Sequence, residues 1–149
     1  MSKARFLPRN IPLDALLKVL VEEHAAMMEG LRRTKEAADR KDFEGASRAL
    51  KQLDPVFRQH IADEEAQVLG LLIGQLGVKG AEEEIKVFRQ HRPIYRLMQT
   101  VAELASKETA DLEAEQAKLN ALFDDHTTAE EERVFPKALS YCGRSPQAH

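Results

Sequence analysis

The chain has 149 residues and a mass of 16.8 kDa, enough for one domain that buries about two thirds of the surface its unfolded form would expose. Apolar residues at 43%, charged residues at 32% and a net charge of −3 exclude disordered and fibrous classes, and no apolar run is long enough for a membrane span. A pI near 6.0 argues against nucleic acid as a partner held by a basic surface.

The single Cys142 excludes an internal disulfide framework and any cysteine-based metal site. It suits a reducing compartment. The opening Met1-Ser-Lys-Ala-Arg-Phe has no apolar core of a signal peptide, so a cytoplasmic location is expected. Seven glycines, six prolines and no Trp, among abundant Ala, Leu, Glu, Lys, Arg and Gln, favour helix throughout.

In chain order, residues 1–11 read as an arm, with Pro12 suited to a first helical turn. Leu13, Leu16, Leu17, Leu20, His24, Met27, Met28 and Leu31 then recur at three- and four-residue steps. They predict a helix ending near Asp39 to Lys41. Asp42 is the N-cap expected for a second helix, whose inner stripe is Leu50, Leu53, Phe57, His60, Glu64, Val68 and Leu71. Pro55 should kink it or start a new segment, and it must end among Gly70, Gly74, Gly77 and Gly80.

The third helix opens on Ala81-Glu82-Glu83-Glu84, with Val87 or Phe88, His91, Tyr95, Met98 and Val101 inward. Thr109 is the N-cap expected for the fourth, which carries Leu112, Leu119, Phe123, His126, Glu130 and Val134, with a kink or break at Pro136. The whole predicts one all-α domain over 1–149. It is an up-down-up-down four-helix bundle over about 12–141, with an N-terminal arm 1–11 and a C-terminal tail 142–149.

Setting aside His149 in the tail, each predicted helix carries one histidine: His24, His60, His91 and His126. Val21, Phe57, Phe88 and Phe123 stand three residues before them, on the face expected to turn inward. Measured from the turns, the histidines lie at matching depths. His24 is 17 residues before Lys41 and His60 is 19 after it, while His60 is 17 before Gly77 and His91 is 14 after it. Offsets of one to three residues amount to about 1.5–4.5 Å along a helix axis.

His60 and His126 each have a glutamate one turn on, Glu64 and Glu130. The pattern repeats: His24 to His91 spans 67 residues, while His60 to His126 and Glu64 to Glu130 each span 66. Each half of the chain thus supplies two imidazoles and one carboxylate. Four inward histidines and two inward glutamates in one layer would be unfavourably buried unless something satisfies them, and a pair of metal ions does so. The ferritin-like Glu-x-x-His motif is missing. Other features have ordinary readings: the runs Glu82–Glu84 and Glu130–Glu132 are solvated faces apart from Glu130, and Met27, Met28 and Met98 are core filling.

At this point the sequence resembles the hemerythrin-like, or HHE cation-binding, family. The resemblance covers about residues 13–141 and rests on His24, His60/Glu64, His91 and His126/Glu130, with the stretch Glu130-Glu-Glu-Arg-Val-Phe-Pro136. It implies two iron ions in a carboxylate-bridged di-iron centre. Glu64 and Glu130 resemble the bridges, with His24 and His60 on one iron and His91 and His126 on the other. The donor set also suits manganese or zinc.

The oxygen-carrying members have a fifth histidine four residues after the third, where this chain has Tyr95. A Tyr95 phenolate, a nearby acid (Glu23, Glu65 or Glu131) or an open position are the alternatives, and a plain core role is the fourth. The expected function is binding or sensing of a small ligand such as dioxygen, nitric oxide or peroxide. The alternatives are a protective di-iron enzyme (peroxide or nitric oxide reduction, or iron donation for cluster repair) and a helical interaction protein with structural histidines.

Overall fold

The computed structural model describes residues 6–107 and 111–142, with nothing said of the Cys142 side chain. Thr109, the tail from 143 and His149 lie outside the described residues. The helices are α1 (Leu13–Asp39), α2 (Phe43–Asp63), α3 (Gly70–Gly80), α4 (Glu82–Lys107), α5 (Leu112–Ala129) and α6 (Phe135–Cys142). A π-helical segment, Glu64–Leu69, joins α2 to α3, and a second, Glu130–Val134, joins α5 to α6. The chain is therefore four helical rods, with no strand among the described residues. α1 packs on α2, α2 on α4, α4 on α5, and α5 returns to α1. No helix is long and apolar enough to cross a membrane.

Local chemistry sets the ends. α1 stops because Lys41 takes a left-handed φ of 62°. The Asp42 N–H then reaches back to the Ala37 carbonyl at 2.7 Å, and the Lys41 N–H to Ala38 at 2.9 Å. The Asp42 carboxylate caps α2 by accepting the Gly45 N–H at 2.9 Å. The break after α2–α3 falls at Gly77, whose φ of 73° only glycine adopts without strain.

Pro55 and Pro93 lie inside α2 and α4, so neither starts a new segment. Buried Leu53 and Phe57 flank Pro55, and Ile94 follows Pro93, so packing on both sides holds these helices together across the lost backbone bond. Pro136 falls in the first turn of α6, directly after the second π segment, where a missing N–H is tolerated.

The core is in two parts. One, built on Met27, Leu31, Leu50, Phe57, Ile94 and Phe123, fills the half nearer the α1–α2 turn. The other, built on Leu16, Leu20, Leu72, Val87, Val134 and Phe135, fills the opposite half. Between them lies a layer of buried polar side chains.

Several side chains depart from the predicted stripes. Val21 and Phe88 are exposed at 40% and 44%, although the Phe88 ring still lies 6.3 Å from His91, while Leu20 and Val87, four residues before His24 and His91, are buried. Met28 is also exposed. Leu72 is buried in place of Leu71, because the wider π turn rotates the residues after it. Glu84 is not solvated. It is fully buried and accepts a hydrogen bond from the Lys137 ammonium at 2.7 Å, tying α6 to α4.

Candidate metal centre

His24, His60, Glu64, His91, His126 and Glu130 meet in the polar layer, and all six are buried. The His24 and His60 rings are 4.8 Å apart, and those of His91 and His126 are 4.9 Å apart. The ligand atoms form two groups, His24/His60/Glu64/Glu130 and His91/His126/Glu64/Glu130, each with its atoms within 4.8 Å of one another. Both glutamates belong to both groups. Each opens a π segment one turn after a histidine of the same rod. Such segments insert an extra residue and concentrate at functional sites.

The four Nε2 atoms face the shared carboxylates. His24 Nε2 lies 2.9 Å from Glu130 Oε1 and His60 Nε2 lies 3.0 Å from Glu64 Oε2. His91 Nε2 lies 2.7 Å from Glu64 Oε1, and His126 Nε2 lies 3.3 Å from Glu130 Oε2. Several of these approaches are close without the alignment of a hydrogen bond. His24 Nε2, His126 Nε2, Glu64 Oε2 and both Glu130 oxygens are buried with no hydrogen-bond partner. Polar atoms orphaned together in a dry layer are unfavourable. Imidazole nitrogens and carboxylate oxygens are also the donors that suit divalent first-row metals. The residues present fit a pair of metal ions.

Every Nδ1 is occupied on the outer side. His24 Nδ1 pairs with Glu131 at 2.7 Å, His60 with Glu23 at 2.9 Å, His91 with Glu65 at 2.7 Å and His126 with the Gln90 amide oxygen at 2.8 Å. Such partners fix each ring and leave Nε2 free to ligate. Sequence reasoning named Glu23, Glu65 and Glu131 only as alternatives for a fifth ligand, and missed both their place behind the rings and Gln90. The signal was adjacency: each acceptor stands next to a ligand in the chain. Glu23, Glu65 and Glu131 thus each meet a histidine Nδ1 on its outer side. Phe135 was also missed as a site residue; its ring stacks on His24 at 5.6 Å.

The arm completes one side. The Arg9 backbone N–H and Nε donate to Asp63 at 2.6 Å each, and its terminal nitrogen donates to Glu23 at 2.9 Å. Gln67 and Gln59 hold the arm by donating to the carbonyls of Arg9 and Leu7. Burial opposes the charge on Glu23, but hydrogen bonds from His60 and Arg9 outweigh it and hold that carboxyl below its ordinary value.

Without metal, the layer divides its protons. Burial opposes a charged His60, but Glu23 and Glu64 outweigh it and raise the ring to about 9. Burial likewise opposes a charged His91, and Glu64 and Glu65 raise it to about 10. Burial, with the charges of His91 and His60, pushes His126 down to about 4. Burial and the neighbouring Glu64 push Glu130 well up.

The Tyr95 ring stacks on Phe57 at 6.3 Å and lies outside both ligand groups, and burial with the neighbouring Asp54 carboxylate raises its hydroxyl above the ordinary value. It is a packing residue here. A groove of about 840 Å³, walled by Phe6, Arg58, Arg92 and Tyr95, reaches His91 and Glu65. A smaller one of about 350 Å³, with Asp124 and Glu132 in its wall, reaches His24 and Glu131. No protein-family model, curated protein or solved structure matches the chain.

Proposed function

We propose that this is a hemerythrin-like, up-down-up-down bundle whose polar layer holds two iron ions and binds or senses dioxygen or a related small ligand. The carrying observation is the ligand arrangement: four buried histidines turn Nε2 toward two shared glutamates while every Nδ1 is already engaged. His24 and His60 would hold one ion, His91 and His126 the other, with Glu64 and Glu130 shared. When bound, the metal pair would supply redox-active sites for a small ligand.

The protein's own part is to orient and to exclude water. The two apolar half-cores seal the layer along the bundle axis, and Phe135 covers His24. The groove ending at His91 supports access for a molecule of two or three atoms. Tyr95, stacked on Phe57 outside both ligand groups, supports an open position where a fifth imidazole would stand. That feature favours the protective-enzyme alternative, reduction of peroxide or nitric oxide, as the second reading.

Metal content per chain after expression in iron-replete cells, with optical spectra in and out of air, tests the proposal. About two irons with a reversible oxygen-dependent band is the expected result. Two irons with irreversible oxidation favours the enzyme. Protein that binds no metal returns the histidines to a structural role.

A further inference from the structure

The two halves of the chain superimpose in sequence with offsets of 67 residues from α1 to α4 and 66 from α2 to α5, as His24 to His91 and His60 to His126 show. Carried to the neighbouring residues, the offsets match Glu65 with Glu131, each accepting from the lone histidine of the opposite half. Two of the mismatches concern buried or histidine-bonded acids in the first half. Glu23 corresponds to Gln90, and Asp63 to Ala129.

Those two positions are where the arm docks. Glu23 accepts from His60 Nδ1 and from Arg9, and fully buried Asp63 accepts the Arg9 backbone N–H and Nε. At the equivalent place in the other half, His126 Nδ1 meets the neutral Gln90 amide, whose nitrogen donates to Asp125 at 3.4 Å. One guanidinium shared by two carboxylates leaves a net negative charge behind His60. Behind His126 there is an amide in direct contact, with the nearest acid one bond further out.

We propose that the two halves of the centre bind metal unequally, the His24/His60 half first and more tightly, because it has a carboxylate behind both histidines where the His91/His126 half has one. A carboxylate on Nδ1–H makes Nε2 a stronger donor than an amide does, and removing such an outer partner typically costs 10–100-fold in metal affinity. The inference rests on the two-metal reading above. Glu23 and Gln90 are positioning residues in it, and the arm acts on one half only.

The test is titration of the metal-free full-length chain with Co²⁺, followed by visible absorption and calorimetry. Two steps separated by about 10–100-fold are expected. Glu23→Gln should weaken the tighter step and Gln90→Glu should strengthen the looser one, so each single change draws the steps together. The double exchange should separate them again, which a general loosening of the bundle would not do. Two equal steps in the unaltered chain would overturn the proposal while leaving the two-metal reading intact. So would steps unmoved by Gln90→Glu, a variant that keeps every ligand and stands even if Glu23→Gln fails to fold. No cobalt bound at all would remove the two-metal reading and this proposal with it.

Discussion

Replacing Arg9 with alanine tests whether the arm is part of the fold or merely lies on it. The change removes two side-chain hydrogen bonds, to Asp63 at 2.6 Å and to Glu23 at 2.9 Å, and keeps the backbone bond to Asp63. Hydrogen bonds to charged partners contribute about 1.5–3 kcal/mol each, a gross loss of about 3–6 kcal/mol. The Arg9 side chain is 36% exposed, so water reaches part of the vacated space, and a net loss of about 2–3 kcal/mol is expected. For a chain of this size that lowers Tm by about 4–10 °C. Urea unfolding of the metal-free protein measures it. A double-mutant cycle with Asp63→Asn should show at least about 1 kcal/mol of coupling, since Asp63 is fully buried against Arg9. A loss under about 0.5 kcal/mol, or strict additivity, would refute the buried-pair argument.

Glu64→Ala and His126→Ala should each reduce bound metal well below that of the unaltered chain, while His149→Ala should bind the full complement; metal analysis after gel filtration decides. Tyr95→Phe should leave metal content unchanged, because its ring packs on Phe57 outside both ligand groups, and a lost equivalent of metal would make Tyr95 a ligand after all. In the metal-free protein, stability should fall as pH rises above about 6.5. His60 and His91, raised to about 9 and about 10, contribute fully below about pH 6.5, the unfolded value, and lose that contribution as pH rises through 9–10. His126, lowered to about 4, acts oppositely: its contribution is present above about 6.5 and is lost as pH falls toward 4. Tm measured with chelator should fall between about pH 6.5 and 10, and a flat alkaline limb would contradict the raised His60 and His91.

The six inward polar residues were legible because helical spacing and depth from the turns are local properties, and α1, α2, α4 and α5 keep that spacing. The apolar residue three before each histidine was a poorer guide. Phe57 and Phe123 are buried as expected, but Val21 and Phe88 face outward, since a helix face is wide enough for the residue four before to fill that place. The arm's docking was illegible. Arg9 and Asp63 are 54 residues apart, and nothing local to either marks the pair. Glu131 and Glu84 sit in acidic runs that read as solvated. Only a tertiary partner, His24 for one and Lys137 for the other, distinguishes them from their neighbours. The π segments leave no composition signal, as Glu, Ala, Gln, Val and Leu fit an ordinary helix equally well.

Those two widened turns act as phase shifters. An α-helix advances about 100° per residue, so one residue more or fewer re-aims everything beyond it. Deleting a single residue within 65–69 or 131–134 could leave a helix as regular as before. It would nevertheless swing Leu72 in one rod, or Phe135 and Ala138 in the other, away from the half-core they fill. Length in these two short stretches is therefore held as tightly as the identity of their buried and paired residues. An exchange at exposed Ala66 or Glu132 is an ordinary surface change, whereas a one-codon deletion would unseat the far end of the bundle.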